Sequence, residues 1–266
     1  MPFYPKRQPP RSPVGRRGAR LVQIIAGLTA TLLLAAAAQA GEATAPCPPC
    51  LHFDRLDKQI RDGLLAPPEA RRQFAARIAE LDAYLARTAS SQPPAGRWIF
   101  PLRGYTLPVA GADAARGYVA AGYDYFDGNR HGGHPSFDLF ISDRNQDSLD
   151  DRTGKPVTVV SMTGGIVVAA EAVWDERSPL RGGKYLWIYD PAASLLIYYA
   201  HNRDLLVGVG DRVEPGTPIA TVGRTGFNAA RQRSPTHLHL TVLRVRNGRP
   251  QPENIHPQLV AAPAAE

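Results

Sequence analysis

The side chains of this chain best placed to do chemistry stand in two short runs, His134-Pro135-Ser136-Phe137-Asp138 and Thr236-His237-Leu238-His239-Leu240. Imidazole nitrogen and carboxylate oxygen both suit Zn²⁺, and a hydrolytic zinc takes three protein ligands and keeps a fourth position for solvent. Along a strand, residues two or four apart point to the same face. His134 can therefore converge with Asp138, and His237 with His239. Either run alone reads more simply as a half-buried strand with unrelated polar residues. Both together, in a chain with seven histidines, point to one site. No Glu stands as in H-E-x-x-H, so imidazole must handle the proton.

The elements that must carry these residues read as β. Phe137, Leu139 and Ile141 alternate with Asp138 and Phe140, and Leu238, Leu240 and Val242 alternate with His237, His239 and Thr241. The runs 157–161 and 166–170 flank Thr163-Gly164-Gly165 as a predicted hairpin, and 184–189 and 195–199 flank Asp190-Pro191 as a second. Ahead of them, Phe53, Leu56, Ile60 and Leu64 fall on one helical stripe, and Phe74, Ile78, Leu81 and Leu85 on another. The pair forms a helical hairpin that cannot bury its apolar faces alone. A Ser/Pro/Gly-rich linker follows at 90–96, and 261–266 reads as a loose tail.

The net charge of +7 belongs to the start of the chain. Six basic and no acidic side chains lie within 1–40; beyond them 25 Lys and Arg face 24 Asp and Glu, so nothing argues for nucleic acid as a partner. The basic region, an apolar run over 21–38 and Ala38-Gln39-Ala40 read as a cleaved export signal, with an uncleaved membrane anchor at 21–38 as the rival. The protein is therefore expected in the periplasm or outside the cell. Cys47 and Cys50 then form a local disulfide or tether another chain. No βαβ context follows for a redox role. The expected organisation is 1–40 signal, 41–97 Cys-Pro-Pro-Cys segment with helical hairpin and linker, 98–260 catalytic domain, 261–266 tail.

With these segments aligned, the chain resembles the lysostaphin/LytM-type zinc peptidases, the M23 family, which cut peptide bonds in bacterial peptidoglycan. The resemblance covers roughly 132–259. It rests on His134 to Asp138, the Gly154-Lys155-Pro156-Val157 and Gly164-Gly165-Ile166-Val167 stretches, Tyr199-Ala200-His201, and Val207 to Val213. Thr225-Gly226, His237-Leu238-His239 and Ile255-His256-Pro257-Gln258-Leu259 complete it. It implies a mainly β fold, an antiparallel sheet groove of the LytM/duplicated-hybrid-motif type, here preceded by the α-helical hairpin. It also implies one Zn²⁺ on His134, Asp138 and His239, with His201 and His237 as catalytic histidines that do not ligate. Which of those two is the general base stays open. His131 is a competing donor on a Gly-flanked loop; His52 and His256 read as structural or solvent-facing.

Two stretches depart from the pattern. A polar loop after Asp138 carries Asp143, Asn145, Asp147, Asp150 and Asp151, but Ser148 and Gly154 stand where a calcium loop needs Gly and Glu, so it reads as solvated. The stretch between Gly226 and His237 is long, and its Arg231 and Arg233 are candidate contacts to carboxylates of a wall peptide. The leading expectation is a zinc endopeptidase acting on peptidoglycan cross-links or stem peptides. Its rival is a non-catalytic regulator of the same fold that activates a cell-wall amidase, and retention of all five side chains argues against that. A wall-binding module with a closed structural zinc would need four protein ligands. The hairpin is left as an inhibitory segment, a spacer, or a surface for a wall enzyme or regulator.

Overall fold

The computed structural model describes residues 47–88, 98–107 and 117–266. The predicted signal or anchor and the 90–96 linker lie outside the described residues. Over the second half of the chain, alternating runs at the outer strands and continuous apolar runs at the inner ones form nine antiparallel strands in one sheet. These are β1 (Ser136–Phe140), β2 (Thr158–Val160), β3 (Gly165–Glu171), β4 (Lys184–Asp190), β5 (Leu195–Leu205), β6 (Arg212–Val213), β7 (Pro218–Val222), β8 (His237–Arg246) and β9 (Arg249–Pro252). The main path runs β1-β8-β5-β4-β3-β6; β7 joins β5 and β2, and β9 joins β8. The mainly β, antiparallel architecture with a helical hairpin ahead of it is as expected.

The hairpin predicted around Thr163-Gly164-Gly165 is not one. β2 pairs β7, with Thr158 opposite Thr221, while β3 takes β4 on one edge and β6 on the other. The connection is held by non-local bonds: Ser161 N–H donates to the Thr217 carbonyl at 2.9 Å and Met162 N–H to the Tyr199 hydroxyl at 3.0 Å. A turn dipeptide reports a change of direction, and these longer-range partners decide who pairs with whom. The second predicted hairpin does form, as β4–β5. Asp190 pairs Leu195, and the Asp190 carboxylate accepts the N–H groups of Ala192 and Ala193.

The sheet is apolar on both faces. Val167, Leu186, Ile188, Ile197, Tyr199, Leu240 and Val242 pack into one core with Phe137 and Leu139. Ile166, Val168, Tyr185, Trp187, Tyr189, Leu196 and Leu243 pack into a second core, and the helical hairpin covers it. All but the first residue of β4 is buried.

The hairpin is α1 (Pro48–Arg61) and α2 (Pro67–Thr88). α1 starts earlier than its apolar stripe suggests, because Pro48 and Pro49 sit in its first turn, where they need no N–H partner. It stops at Arg61, which leaves Leu64 exposed rather than on the buried stripe. A disulfide joins Cys47 to Cys50 at its start. Phe53, Leu56 and Ile60 of α1 meet Phe74, Ile78, Leu81 and Leu85 of α2, with Phe53 and Phe74 in an edge contact at 5.6 Å. Polar ties fix the pair to the sheet. The Ala170 N–H donates to Asp54, the Tyr189 hydroxyl to Asp82 at 2.8 Å, and Arg61 to Glu171 at 2.8 Å. Among the described residues, hairpin and sheet form one compact unit.

The predicted loose tail is also docked. After α3 (His256–Ala261), the Pro263 carbonyl accepts the Phe100 N–H at 2.9 Å, and Ala265 bridges Arg103 and buries against Ile99 and Val160. Small apolar side chains read as featureless in sequence, yet here the tail backbone accepts from Phe100 and the Ala265 side chain packs on Ile99 and Val160.

Candidate active site

Pairing of β1 with β8 places Asp138 opposite His239 and Phe140 opposite His237, so the polar residues of both strands share a face. β5 adds Ala200 opposite His239, which brings His201 to the same place. His134 lies ahead of β1 rather than on it, in a two-way backbone bridge with Val119. His201 sits where β5 changes partner from β8 to β7, and its φ is +65°. A left-handed conformation is costly for a residue with a Cβ and persists only where the surroundings hold it. Here the His201 N–H donates to Gly182 O at 2.9 Å and its ring to Thr225 O at 2.8 Å. Gly226 permits that contact: a Cβ there would lie 2.8 Å from His201 Nδ1.

Backbone carbonyls fix the rings. Nδ1–H of His134 donates to Gly117 O (2.8 Å), that of His201 to Thr225 O, and that of His237 to Pro235 O (2.7 Å). A carbonyl only accepts, so each Nδ1 carries a proton, and in the neutral rings of His201 and His237 Nε2 keeps its lone pair. His134 Nε2 lies 3.4 Å and His237 Nε2 3.6 Å from Asp138 Oδ1, and His239 Nδ1 lies 3.0 Å from the same oxygen. His201 and His237 face each other edge-on at 5.0 Å, and His201 and His239 at 5.3 Å.

Burial pushes the Asp138 carboxyl up, but hydrogen bonds from His134 and His239 overcome it and hold the group far below the usual carboxylate range. Contact with Asp138 pulls His134 up against its burial. Burial drives His201 well below the ordinary imidazole value, reinforced by His237 and His239, and lowers His237 too. Two neutral imidazoles with free Nε2 atoms thus stand beside an ionised carboxylate.

Donor atoms of His134, Asp138 and His239 lie within 4.8 Å of one another, and so do those of His201, His237 and His239. Only the first group includes an anion to offset a divalent charge. Its nitrogen and oxygen donors, with the His134 ring oriented by a carbonyl as metal-binding imidazoles are, fit Zn²⁺. The five expected side chains are gathered in one place. They line a cavity of about 250 Å³ that continues past them to α1, with Asp57, Tyr125, Trp187 and Tyr198 along its wall. The sequence reading did not find those four. They meet only once the hairpin docks, and no local motif marks them.

The other candidates fall outside the centre. Arg231 is exposed, donates to Phe227 O and lies over the Phe227 ring at 4.9 Å; Arg233 is exposed; neither borders the cavity. His131 borders the cavity but joins neither donor group. His52 contacts Glu80 on the hairpin, and His256 begins α3. The acidic loop is less solvated than expected. Asp150 is buried against Arg152 and Tyr105, and buried Asp143 accepts the Thr236 hydroxyl at 2.6 Å, which clamps the residue before His237.

Residues 146–252 match the model of peptidase family M23. His201, His237 and His239 fall within that span; His134 and Asp138 precede it, and the β1–β8 pairing brings them in. Solved structures that resemble the chain include LytM of Ruminococcus gnavus, at 30% identity over 40% of this chain and 41% of that one (TM-score 0.33). Another is LytU, at 21% identity over 66% and 95% (TM-score 0.37). A third is the catalytic domain of the antimicrobial peptidase lysostaphin from Staphylococcus simulans, at 24% over 54% and 90% (TM-score 0.35). The chain thus spans less than half of the first of these. A comparison with curated proteins finds no match. It is over residues 146–252 that the chain is similar to peptidase family M23.

Proposed function

We propose that this protein is an exported zinc-dependent endopeptidase that hydrolyses peptide bonds of bacterial peptidoglycan, in cross-links or stem peptides. One observation carries the reading: a two-histidine, one-carboxylate donor group stands beside two neutral imidazoles whose free Nε2 atoms face it. Structural zinc is closed by four protein ligands, whereas this group offers three. His134, Asp138 and His239 would hold one Zn²⁺, which supplies Lewis acidity toward water and a peptide carbonyl.

The chain's own residues do the rest. His237, nearly buried and neutral, takes a proton at Nε2 while Pro235 O holds its ring. His201, kept neutral by burial, offers its Nε2 lone pair as a second acceptor that orients the attacking water across a 5.0 Å ring separation, and the proton taken up by His237 passes from there to the leaving amine. Neither ring has to reorient, because its Nδ1–H is already committed. Arg231 and Arg233 are assigned to carboxylates of the wall peptide outside the cavity; unchanged cleavage kinetics in the double Ala variant would remove that role.

The test is incubation of the purified protein with isolated sacculi, with and without a chelator, followed by mass analysis of what is released. New peptide termini that disappear on chelation are expected. Intact sacculi under both conditions, together with stimulation of a separate wall amidase, would replace this reading with that of a regulator.

A further inference from the structure

The cavity has a second end, chemically unlike the first. From His239 its wall runs through Tyr198 (ring centroids 6.2 Å apart), Trp187 (4.5 Å from Tyr198) and Tyr125 (5.7 Å from Trp187). It closes on Asp57 of α1, which borders the cavity although only 4% exposed. Asp57 Oδ1 accepts the Tyr125 hydroxyl at 2.8 Å and Oδ2 the Tyr185 hydroxyl at 2.7 Å. Each oxygen retains accepting capacity beyond that bond. Arg61, one turn on, donates to Asp62 at 2.7 Å, Glu171 at 2.8 Å and the Tyr185 hydroxyl at 3.2 Å. Arg61 borders the cavity but spends its guanidinium on Asp62, Glu171 and the Tyr185 hydroxyl, and Arg181 stands elsewhere on the same lining, so Asp57 is the carboxylate that this end offers beneath the rings.

A recess with an anion at its base and ring faces along its walls suits a compact cation. Burial pushes the Asp57 carboxyl up to about 6, so its charge is held against desolvation and a positive ligand would relieve it. A neutral apolar side chain would fill the same space and leave that charge as it is. We propose that the recess is a subsite for a protonated primary amine carried on a side chain of the peptide being cut, with Asp57 as anchor and Trp187 and Tyr198 as walls. The peptide context rests on the endopeptidase reading above; recognition of the amine does not. On this view the helical hairpin is one wall of the substrate site, since Asp57 belongs to α1 and the rings belong to β4 and β5.

Two measurements on the full, zinc-loaded chain separate the two readings. The first is calorimetric binding of Nα-acetyl-lysinamide against Nα-acetyl-norleucinamide, which has a similar aliphatic stem and no charge. The ammonium has no lone pair at neutral pH, so it cannot ligate zinc. The lysine probe is expected to bind at least about tenfold more tightly in the wild type and with no preference in Asp57→Asn, about the factor of one charge-assisted hydrogen bond. The second is kcat/KM for a matched pair of synthetic wall peptides, one with a free side-chain amine and one with that amine acetylated. The same preference and the same collapse are expected.

Equal binding of the two probes, tighter binding of norleucine, or a preference that survives Asp57→Asn overturns the subsite. Probe preference without any peptide or sacculus cleavage keeps the subsite and removes the endopeptidase reading. Cleavage of both peptides at equal kcat/KM does the reverse. If Asp57→Asn fails to melt cooperatively, Tyr198→Leu replaces it, with the preference expected to fall several-fold as a cation–π face is lost.

Discussion

His237 and Asp138 lie within 3.6 Å of each other and are nevertheless assigned different tasks, which separate experimentally. His237→Ala removes a proton acceptor without touching the donor group of His134, Asp138 and His239. Cleavage of sacculi is expected to fall by about two to four orders of magnitude, the usual contribution of general acid–base catalysis, while zinc content by elemental analysis stays at one per chain. Asp138→Asn removes the only anion of the donor group, so zinc content itself is expected to drop. A His237→Ala protein that also loses its zinc would place that residue among the ligands instead. The alternation of Asp138, His237 and His239 with buried leucines made these residues legible in the sequence. The orientation of their rings was not, because it depends on carbonyls of Gly117, Thr225 and Pro235 that only the folded chain brings close.

Within β5, His201 stands at a positive φ of 65°. Gly226 makes room for that ring, so Gly226→Ala must displace both the His201 ring and the Arg181 carbonyl on the other side. Its own φ of +116° adds strain to any side chain there, of order 1–3 kcal/mol. We expect a lower melting temperature and reduced turnover with zinc retained; wild-type turnover would show that the His201 position is not critical.

α1 carries a further perturbed group. Burial raises the folded-state value of Asp57 from 3.8 to about 6. The folded protein then binds the proton more tightly than the unfolded chain, so this term is most favourable to folding below pH 3.8 and is lost as pH rises through about 6. At neutral pH it disfavours folding by roughly 3 kcal/mol as an order of magnitude. Urea midpoints should rise between pH 7.5 and pH 5 by more in the wild type than in Asp57→Asn. Parallel pH profiles would mean that Asp57 keeps its ordinary acidity.

At the scale of the whole molecule, the hairpin was read from its stripes as two helices in need of a partner, and the sheet is that partner. The sequence pattern could not say so, because β3, β4 and β5 are apolar on both faces and a two-sided strand names no direction. For the same reason the β2–β3 connection looked like a hairpin. A chain beginning at Trp98 would expose Val168, Trp187, Tyr189, Leu196 and Leu243 together. It is expected to aggregate or to lose its cooperative melt, and not to gain activity as removal of an inhibitory segment would bring about. A soluble and more active truncated chain would return the hairpin to that role.

β4 has neighbours on both edges and side chains packed above and below, so no partial loosening of a rim or loop exposes its amides. In deuterium its N–H groups should be the last to exchange, at rates set by opening of the entire fold. The strand that presents Tyr185 and Trp187 to the cavity would then serve as an internal gauge of how firmly hairpin and sheet hold together.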